Sequence, residues 1–123
     1  MAKPSGRLRV RLSPSARSDI REALIWSREH FGKIAAARYQ KLIQQAIADI
    51  AGDPDRPGAR ERPELAPGTR TYHLFFSRER VGGRGITVKQ PRHFLVYRPR
   101  QDGIDVVRVL HDARDLARHV PGK

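Results

Sequence analysis

The chain of 123 residues contains no cysteine and no long apolar run. Without thiols it has neither a disulfide framework nor a thiolate metal site, which fits a reducing cytoplasm. A membrane-spanning helix needs ~20 apolar residues in a row, so we expect no membrane partner. Residues 1–6 lack an apolar signal region, and we expect a loose tail there and a cytoplasmic protein. The histidines show no metal-ligand spacing, so the sequence predicts no metal site and no cofactor.

Acidic residues are scarce, and lysine is scarce among the basic residues. Lys and Arg total 25 against 13 Asp and Glu, for a formal net charge of +12, and only five of the 25 are Lys. Arginine presents a planar fork of donors that suits carboxylates and phosphates. The charge predicts a partner among nucleic acids, nucleoprotein assemblies and acidic proteins, but it does not choose among them, and a merely solvated surface is the alternative.

One domain over residues 1–123 suits this length, because the apolar residues fall in periodic clusters. Basic and apolar residues alternate over 7–12, which predicts a strand. Ser13 and Pro14 then favour a helix start. Gly32 separates that helix from a second over 33–50, and so short a break predicts an antiparallel helical hairpin. The expected apolar stripes consist of Ala16, Ile20, Ala23, Leu24 and Phe31 in the first helix, and of Tyr39, Leu42, Ile43, Ala46, Ile47 and Ile50 in the second.

The second half of the chain has a strand pattern. Residues 53–68 hold four prolines and two glycines and predict a loop. Strands are expected over 69–76, 92–98 and 104–110, with a tight hairpin turn at 101–103. The last of these strands is the most apolar, so we expect it to lie centrally in the sheet.

These elements predict an α+β fold. The N-terminal strand joins a three-stranded antiparallel meander in a four-stranded sheet, with the helical hairpin on one face. Residues 77–91, rich in Arg and Gly, form a long basic hairpin link between two strands. A short helix is expected over 112–120.

Several motifs, in order and spacing, resemble the ParE branch of the RelE/ParE toxin superfamily across residues 7–120. The motifs are Leu12-Ser13-Pro14-Ser15-Ala16, Asp19-Ile20, Ala37-Arg38-Tyr39, Asp53-Pro54, Leu65-Ala66-Pro67-Gly68-Thr69-Arg70, Phe94-Leu95-Val96-Tyr97-Arg98 and Val106-Val107-Arg108-Val109-Leu110-His111-Asp112-Ala113-Arg114-Asp115-Leu116. The last is the most specific. The link over 77–91 is longer than is usual in the family.

The resemblance implies a toxin of a type II toxin–antitoxin system that forms a hetero-oligomer with a ParD-like antitoxin. The ParE branch implies inhibition of DNA gyrase by binding, so we lean against an enzyme. The RelE branch implies the alternative, a ribosome-dependent mRNA endoribonuclease. A plain basic module that binds nucleic acid is a third hypothesis, which rests on charge alone.

A nuclease of the RelE kind needs basic groups around the phosphate and a general base. The candidates are Arg62, Arg70, Arg98, Arg108 and His111, and we single out His111, Arg70 and Arg108. A structural His111 at the end of its strand is the favoured alternative. The lysine cluster typical of the RelE branch is absent, and arginine is a poor general base because it does not deprotonate.

The basic residues concentrate in the middle of the chain. Residues 56–100 hold eleven Lys or Arg against three acidic residues. The candidates for contact with gyrase, DNA or the ribosome are Arg78, Arg80, Arg84, Lys89, Arg92 and Arg98; a soluble loop without a target is the alternative. Trp26 and Tyr39, on the helical hairpin, are the candidates for antitoxin binding. Trp26 falls off the apolar stripe, so we expect it to be exposed, although packing at the edge of the core is equally open.

Overall fold

A computed structural model describes residues 9–80, 88 and 90–113. The elements in chain order are β1 (Arg9–Leu12), α1 (Pro14–Phe31), α2 (Lys33–Gly52), β2 (Arg60–Glu61), β3 (Arg70–His73), the 3₁₀ helix η1 (Leu74–Ser77), β4 (His93–Arg100) and β5 (Gly103–His111). Within those residues, no helix is both long and apolar enough to cross a membrane.

The helical hairpin begins and turns where the sequence predicts. The Ser13 hydroxyl oxygen accepts the Ala16 N–H at 2.9 Å, and Pro14 occupies the first helical position, where no amide donor is needed. The same hydroxyl donates to the Val107 carbonyl at 2.6 Å, which ties the start of α1 to β5. Gly32 joins the helices with a φ of 95°, a conformation that favours glycine.

The sheet has five strands in the order β1-β5-β4-β3-β2. β1 pairs with β5 in parallel, and the other neighbours are antiparallel. The α+β prediction is confirmed, with β5 inside the sheet. The expected number of four strands is one too few, because the two residues of β2 pair with β3 from within the Pro- and Gly-rich segment predicted as a loop.

The predicted strand over 69–76 is too long. β3 ends at His73, whose Nδ1 accepts the Phe75 N–H at 3.0 Å and so caps η1. A side-chain acceptor next to the strand end offers the backbone a local alternative to the sheet ladder. The apolar residues Leu74, Phe75 and Phe76 extend the strand pattern in sequence but lie in a helical turn.

The main core lies between the helical hairpin and one face of the sheet. It is built around Leu42, Ile43, Ala46 and Ile50 from α2, Tyr72 and Leu74 from the β3 region, and Leu95, Tyr97, Ile104 and Val106 from β4 and β5. Phe94, Val96 and Leu110 form a smaller buried cluster, and alternation along β4 places Phe94 and Val96 on the other face. Phe31, which we expected in the apolar stripe of α1, is 67% exposed because it is the last residue of the helix.

Four predictions fall wholly or partly outside the described residues, and the first of them is the strand over 7–12, whose residues 7 and 8 are not described. The other three concern the loose tail over 1–6, most of the helix over 112–120, and residues 81–87 and 89 of the basic link, which include Arg84 and Lys89. Residues 112 and 113 lie in a turn after β5.

Candidate functional site

Two adjoining cavities lie beside α1, where the ends of β4 and β5 meet the hairpin. The larger has a volume of about 920 Å³ and the smaller about 280 Å³. Ala23, Trp26, His93 and His111 line both cavities. The two therefore form one groove, with an indole on one wall and two imidazoles at the junction.

His93 is held from the helix side by Tyr39. Burial raises the pKa of Tyr39 to about 12, so its hydroxyl stays protonated. That hydroxyl accepts the Arg92 N–H at 3.1 Å and lies 2.7 Å from His93 Nδ1. The protonated phenol donates to this nitrogen, which places the hydrogen of neutral His93 on Nε2. Tyr39 is thus a buried support in the wall of the smaller cavity rather than an open surface residue.

His111 is the last residue of β5, as expected, and its ring meets that of His93 edge-to-face at 5.3 Å between centroids. Its Nδ1 accepts the Ala113 N–H at 3.1 Å. In neutral His111 the hydrogen therefore lies on Nε2, the same tautomer as in His93. The backbone engages the lone pair of Nδ1, an arrangement that fits a structural or hydrogen-bond-donating histidine.

Asp112 joins β3 to the segment before β4. Its carboxylate accepts His73 Nε2 at 2.9 Å and Arg92 Nε at 3.1 Å. Burial raises the pKa of Asp112, but the hydrogen bond from His73 and the charge of Arg92 outweigh it and bring the pKa below its ordinary value. Arg92, a candidate for target contact, is thus paired within the chain.

The three residues expected to act together in a nuclease do not converge. Arg108 donates to both oxygens of Asp19, at 2.8 and 3.1 Å, although it lines the larger cavity together with His111. Arg70 donates to the Pro54 carbonyl and to Asp55. Arg70 and His111 lie on strands that flank β4 and pair with residues four positions apart, Tyr97 and His93. They are therefore separated by about 13 Å along the strands and by two strand spacings of about 4.8 Å across the sheet.

Two further arginines proposed from the sequence lie near Arg70. Arg62 donates to Glu64 at 2.6 Å, and Arg98 lies beside the Thr69 hydroxyl at 3.5 Å. Neither lines the groove.

The base of the basic link carries two exposed phenylalanines that the sequence analysis counted as strand residues. Phe75 and Phe76 are about half exposed, and the Arg78 guanidinium lies over the Phe75 ring at 4.2 Å. We call Phe75, Phe76, Arg78 and Arg80 the link base. An exposed aromatic beside an arginine is typical of surfaces that bind macromolecules.

Asp49 anchors the link base to α2. Its carboxylate is buried and accepts Gln45 Nε2 at 2.8 Å, the Ser77 hydroxyl at 2.6 Å and Arg80 Nε at 2.9 Å. Arg56 lies 3.6 Å away. The sequence analysis missed Asp49; its position on the otherwise apolar face of α2, next to Ile50, was the signal.

The outer side of the hairpin exposes an apolar patch. Trp26 is 49% exposed, so the expectation from its position off the stripe is confirmed, and its ring stacks on His30 at 4.0 Å. Ile25, Phe31 and Ile34 are at least half exposed as well. We call Ile25, Trp26, Phe31 and Ile34 the hairpin patch. Among the described residues, no group of three or more His, Asp or Glu is arranged to hold a metal ion.

Comparison with known proteins gives two matches of different kinds. The family described as "ParE toxin of type II toxin-antitoxin system, parDE" matches residues 10–116. A solved chain from the "Chromosomal ParDE TA system from P. aeruginosa" superposes with a TM-score of 0.58 at 17% identity, over 86% of this chain and 97% of that one. At that identity the likeness supports the fold alone. No curated protein sequence matches. Because the family match spans most of its length, the chain belongs to the ParE toxin family of type II toxin–antitoxin systems.

Proposed function

We propose that this ParE toxin binds and inhibits DNA gyrase and that a ParD-like antitoxin neutralises it by docking on the hairpin patch. The observation that carries the antitoxin part is the patch itself, four large apolar side chains at least about half exposed on one helical hairpin. The Trp26 and Phe31 rings lie 5.6 Å apart, and an exposed apolar surface beside a groove marks a site of protein association.

The shape and charge of the toxin favour an acidic amphipathic segment as the occupant of the patch. An amphipathic helix lays its apolar face into a groove of this kind. The net charge of +12 attracts an acidic chain and raises its association rate. In such a complex, the bound antitoxin covers Trp26 and screens nearby arginines from other partners.

Truncation of the hairpin patch tests the antitoxin proposal. Trp26→Ala combined with Phe31→Ala removes two exposed rings that lie outside the buried core. We expect at least about a hundredfold weaker binding of the protein encoded by the adjacent reading frame, since aromatic residues dominate interface energies. Calorimetric titration measures this affinity. In cells, expression of that protein should rescue the growth arrest caused by the wild-type toxin.

A matched control is Arg17→Ala, which removes an exposed side chain of α1 outside the hairpin patch. The control should bind as the wild type does. Unchanged binding of the double variant, or failure of the adjacent protein to rescue growth, would count against the proposal.

The gyrase part rests on family membership and on the link base. Phe75 and Phe76 are about half exposed beside the partly buried Arg78 guanidinium, and Asp49 holds the flanking residues Ser77 and Arg80. An action by binding is also supported by the groove, where Arg108 is paired with Asp19 and His111 Nδ1 is engaged by the backbone. Among the described residues that line the groove, these contacts engage the two groups that would serve as general base and phosphate clamp.

Binding to purified gyrase subunits tests this part. Interferometry with immobilised subunits should give saturable binding to one of them, weakened at least about tenfold in Phe75→Ala/Phe76→Ala, because exposed aromatic anchors carry a large share of interface energy. Ile34→Ala serves as the control, since Ile34 belongs to the hairpin patch. No saturable binding to either subunit would remove gyrase as the target.

Two alternatives make different predictions. A ribosome-dependent nuclease predicts cleavage of ribosome-bound mRNA that is lost in His111→Ala and Arg70→Ala. Undiminished cleavage in both variants would remove those residues from the mechanism. A basic nucleic-acid-binding module predicts affinity that falls steeply with salt and no growth arrest on expression.

A further inference from the structure

The smaller cavity, at one end of the groove, has apolar walls and one arginine whose buried nitrogen has no hydrogen-bond partner among the described residues. Trp26, Phe31, Ala35 and Val88 contribute the walls, and Arg38 lies among them. At about 280 Å³ the cavity is slightly below the usual size of a site for a drug-like molecule. That volume suits a single large side chain.

Arg38 lacks a compensating group among the residues that the structure describes. Its Nε is buried without a hydrogen-bond partner, and no carboxylate of the described residues pairs with its guanidinium. The other arginine that lines the cavity, Arg92, is paired with Asp112. Arg56 also has a buried unpartnered Nε, but Asp49 lies 3.6 Å from its NH1. A buried Nε–H requires an acceptor, and a carboxylate is the geometric match to the guanidinium fork.

The adjacent cavity argues against a nucleic acid at this place. Glu22 and Glu29 line it, together with Asp19, whose charge is paired with Arg108, so a phosphodiester backbone that continued along the groove would meet two further carboxylates. A peptide can instead present one carboxylate at Arg38 and uncharged groups beyond it. The observations therefore favour a protein segment.

We infer that the cavity is an anchor site for an apolar side chain of the antitoxin and that Arg38 binds a carboxylate of the same segment. The inference rests on the proposed neutralisation by an antitoxin and gives the chemistry of its contact. The apolar side chain fills the space between Trp26 and Ala35. The carboxylate supplies the acceptor that Arg38 lacks, and this requirement selects partners with an acidic residue near an apolar one.

A small-molecule probe tests the cavity without the antitoxin. Indole-3-propionate and its neutral amide are titrated into the purified toxin, with the Trp26 indole and Ala35 methyl NMR signals as readout. We expect the acid to bind about tenfold more tightly than the amide, as for a hydrogen bond to a charged group. Arg38→Gln should abolish that preference, whereas Arg17→Gln, which changes an exposed arginine of α1, should retain it. Equal binding of acid and amide to the wild type, or a preference that survives in Arg38→Gln, would overturn the inference.

A second measurement uses the protein encoded by the adjacent reading frame. Arg38→Glu should weaken its binding about a hundredfold and Arg17→Glu at most a fewfold, with melting temperatures confirming that both variants fold. If Trp26→Ala/Phe31→Ala breaks the complex and Arg38→Glu does not, the anchor is wrong and the antitoxin proposal stands. If the wild type forms no complex at all, the antitoxin proposal fails, and the NMR titration still decides the anchor. Displacement of the probe from Arg38 by a short single-stranded oligonucleotide would reassign the site to nucleic acid.

Discussion

Asp49 is the residue on which the position of the link base most depends. Its side chain has a relative exposure of 3%, and its carboxylate accepts hydrogen bonds from Gln45, Ser77 and Arg80. Since Ser77 donates to Asp49, the Tyr72 hydroxyl donates to Ser77 at 2.8 Å, so the network reaches the core. Removing one member of a buried, fully hydrogen-bonded charge network is costly, because the remaining groups stay buried and lose their partner.

We predict that Asp49→Asn lowers the free energy of unfolding by about 2–4 kcal/mol. The amide keeps the shape but removes the charge that Arg80 and Arg56 face, and in either orientation its NH₂ group would face one of these two arginines. Urea denaturation measures the change. Asp102→Asn is the control: its exposed carboxylate lies 3.8 Å from Arg9, and the expected cost is below about 0.5 kcal/mol. Similar losses in the two variants would show that Asp49 is not the anchor.

Asp112 gives the fold a defined sensitivity to acid. Its pKa is lowered in the folded chain, so ionised Asp112 stabilises the fold fully above the unfolded pKa of about 3.9, and this stabilisation is lost as the pH falls through the lower folded value. We predict that Asp112→Asn is less stable than the wild type at pH 7 and that the gap narrows below about pH 4. Denaturation at several pH values measures the gap; a gap that is constant from pH 7 to 2 would contradict the assignment.

Among the elements, β1 depends most on a single glycine. β1 lies beside the first half of β5, where Arg9 pairs with Gly103. A Cβ on Gly103 would lie 1.9 Å from the Arg9 carbonyl oxygen. Because the clash is with backbone, only a separation of the two strands would relieve it. β1 therefore pairs with β5 only because position 103 has no side chain.

We predict that Gly103→Ala detaches β1 and lowers the free energy of unfolding by about 2 kcal/mol or more, as is typical of steric conflicts in packed regions. Hydrogen exchange should accelerate at Arg9 and Ser13, whose N–H groups donate to the Asp102 and Val106 carbonyls, while the amides of α2 stay protected. Gly52→Ala, in α2 with nothing near the added carbon, should be neutral or slightly stabilising. Unchanged protection of β1 in Gly103→Ala would contradict this account.

Elements with a strong local pattern follow from the sequence, and those decided by distant contacts do not. The Ser13 cap, the apolar stripe of α2 and the turn between β4 and β5 are local, and all were predicted. The parallel pairing of β1 with β5 joins residues about ninety positions apart, and no local pattern encodes it. β2 and η1 were missed because the pairing of Arg60 with Thr71 and the His73 cap override the local composition.

The candidate site shows the same division. Exposure of Trp26 follows from its position off the helical stripe, and His111 ends β5 as the sequence indicates. Hydrogen bonds within the chain decide whether a side chain can bind a partner. These bonds, such as the one between Arg108 and Asp19, depend on tertiary contacts. Trp26, His93 and His111 converge on one groove only after α1, β4 and β5 have packed together.

On the scale of the whole molecule, the toxin presents two surfaces of different chemistry. The hairpin patch is apolar and borders the groove, and the link base is aromatic and basic. The separation suits two partners of different kinds, one antitoxin and one target. The charge of +12 is distributed mostly in the second half of the chain, so salt should weaken target binding more than it weakens packing on the hairpin patch.

Inhibition of gyrase supercoiling by the purified toxin tests the central claim most directly. Relaxed plasmid, gyrase and ATP are incubated with increasing toxin, with and without the protein from the adjacent reading frame, and Phe75→Ala/Phe76→Ala serves as the matched variant. The account predicts loss of supercoiling with the wild type, reversal by the adjacent protein and a weaker effect of the variant. Full supercoiling at every toxin concentration, with the toxin shown to be folded, would contradict it.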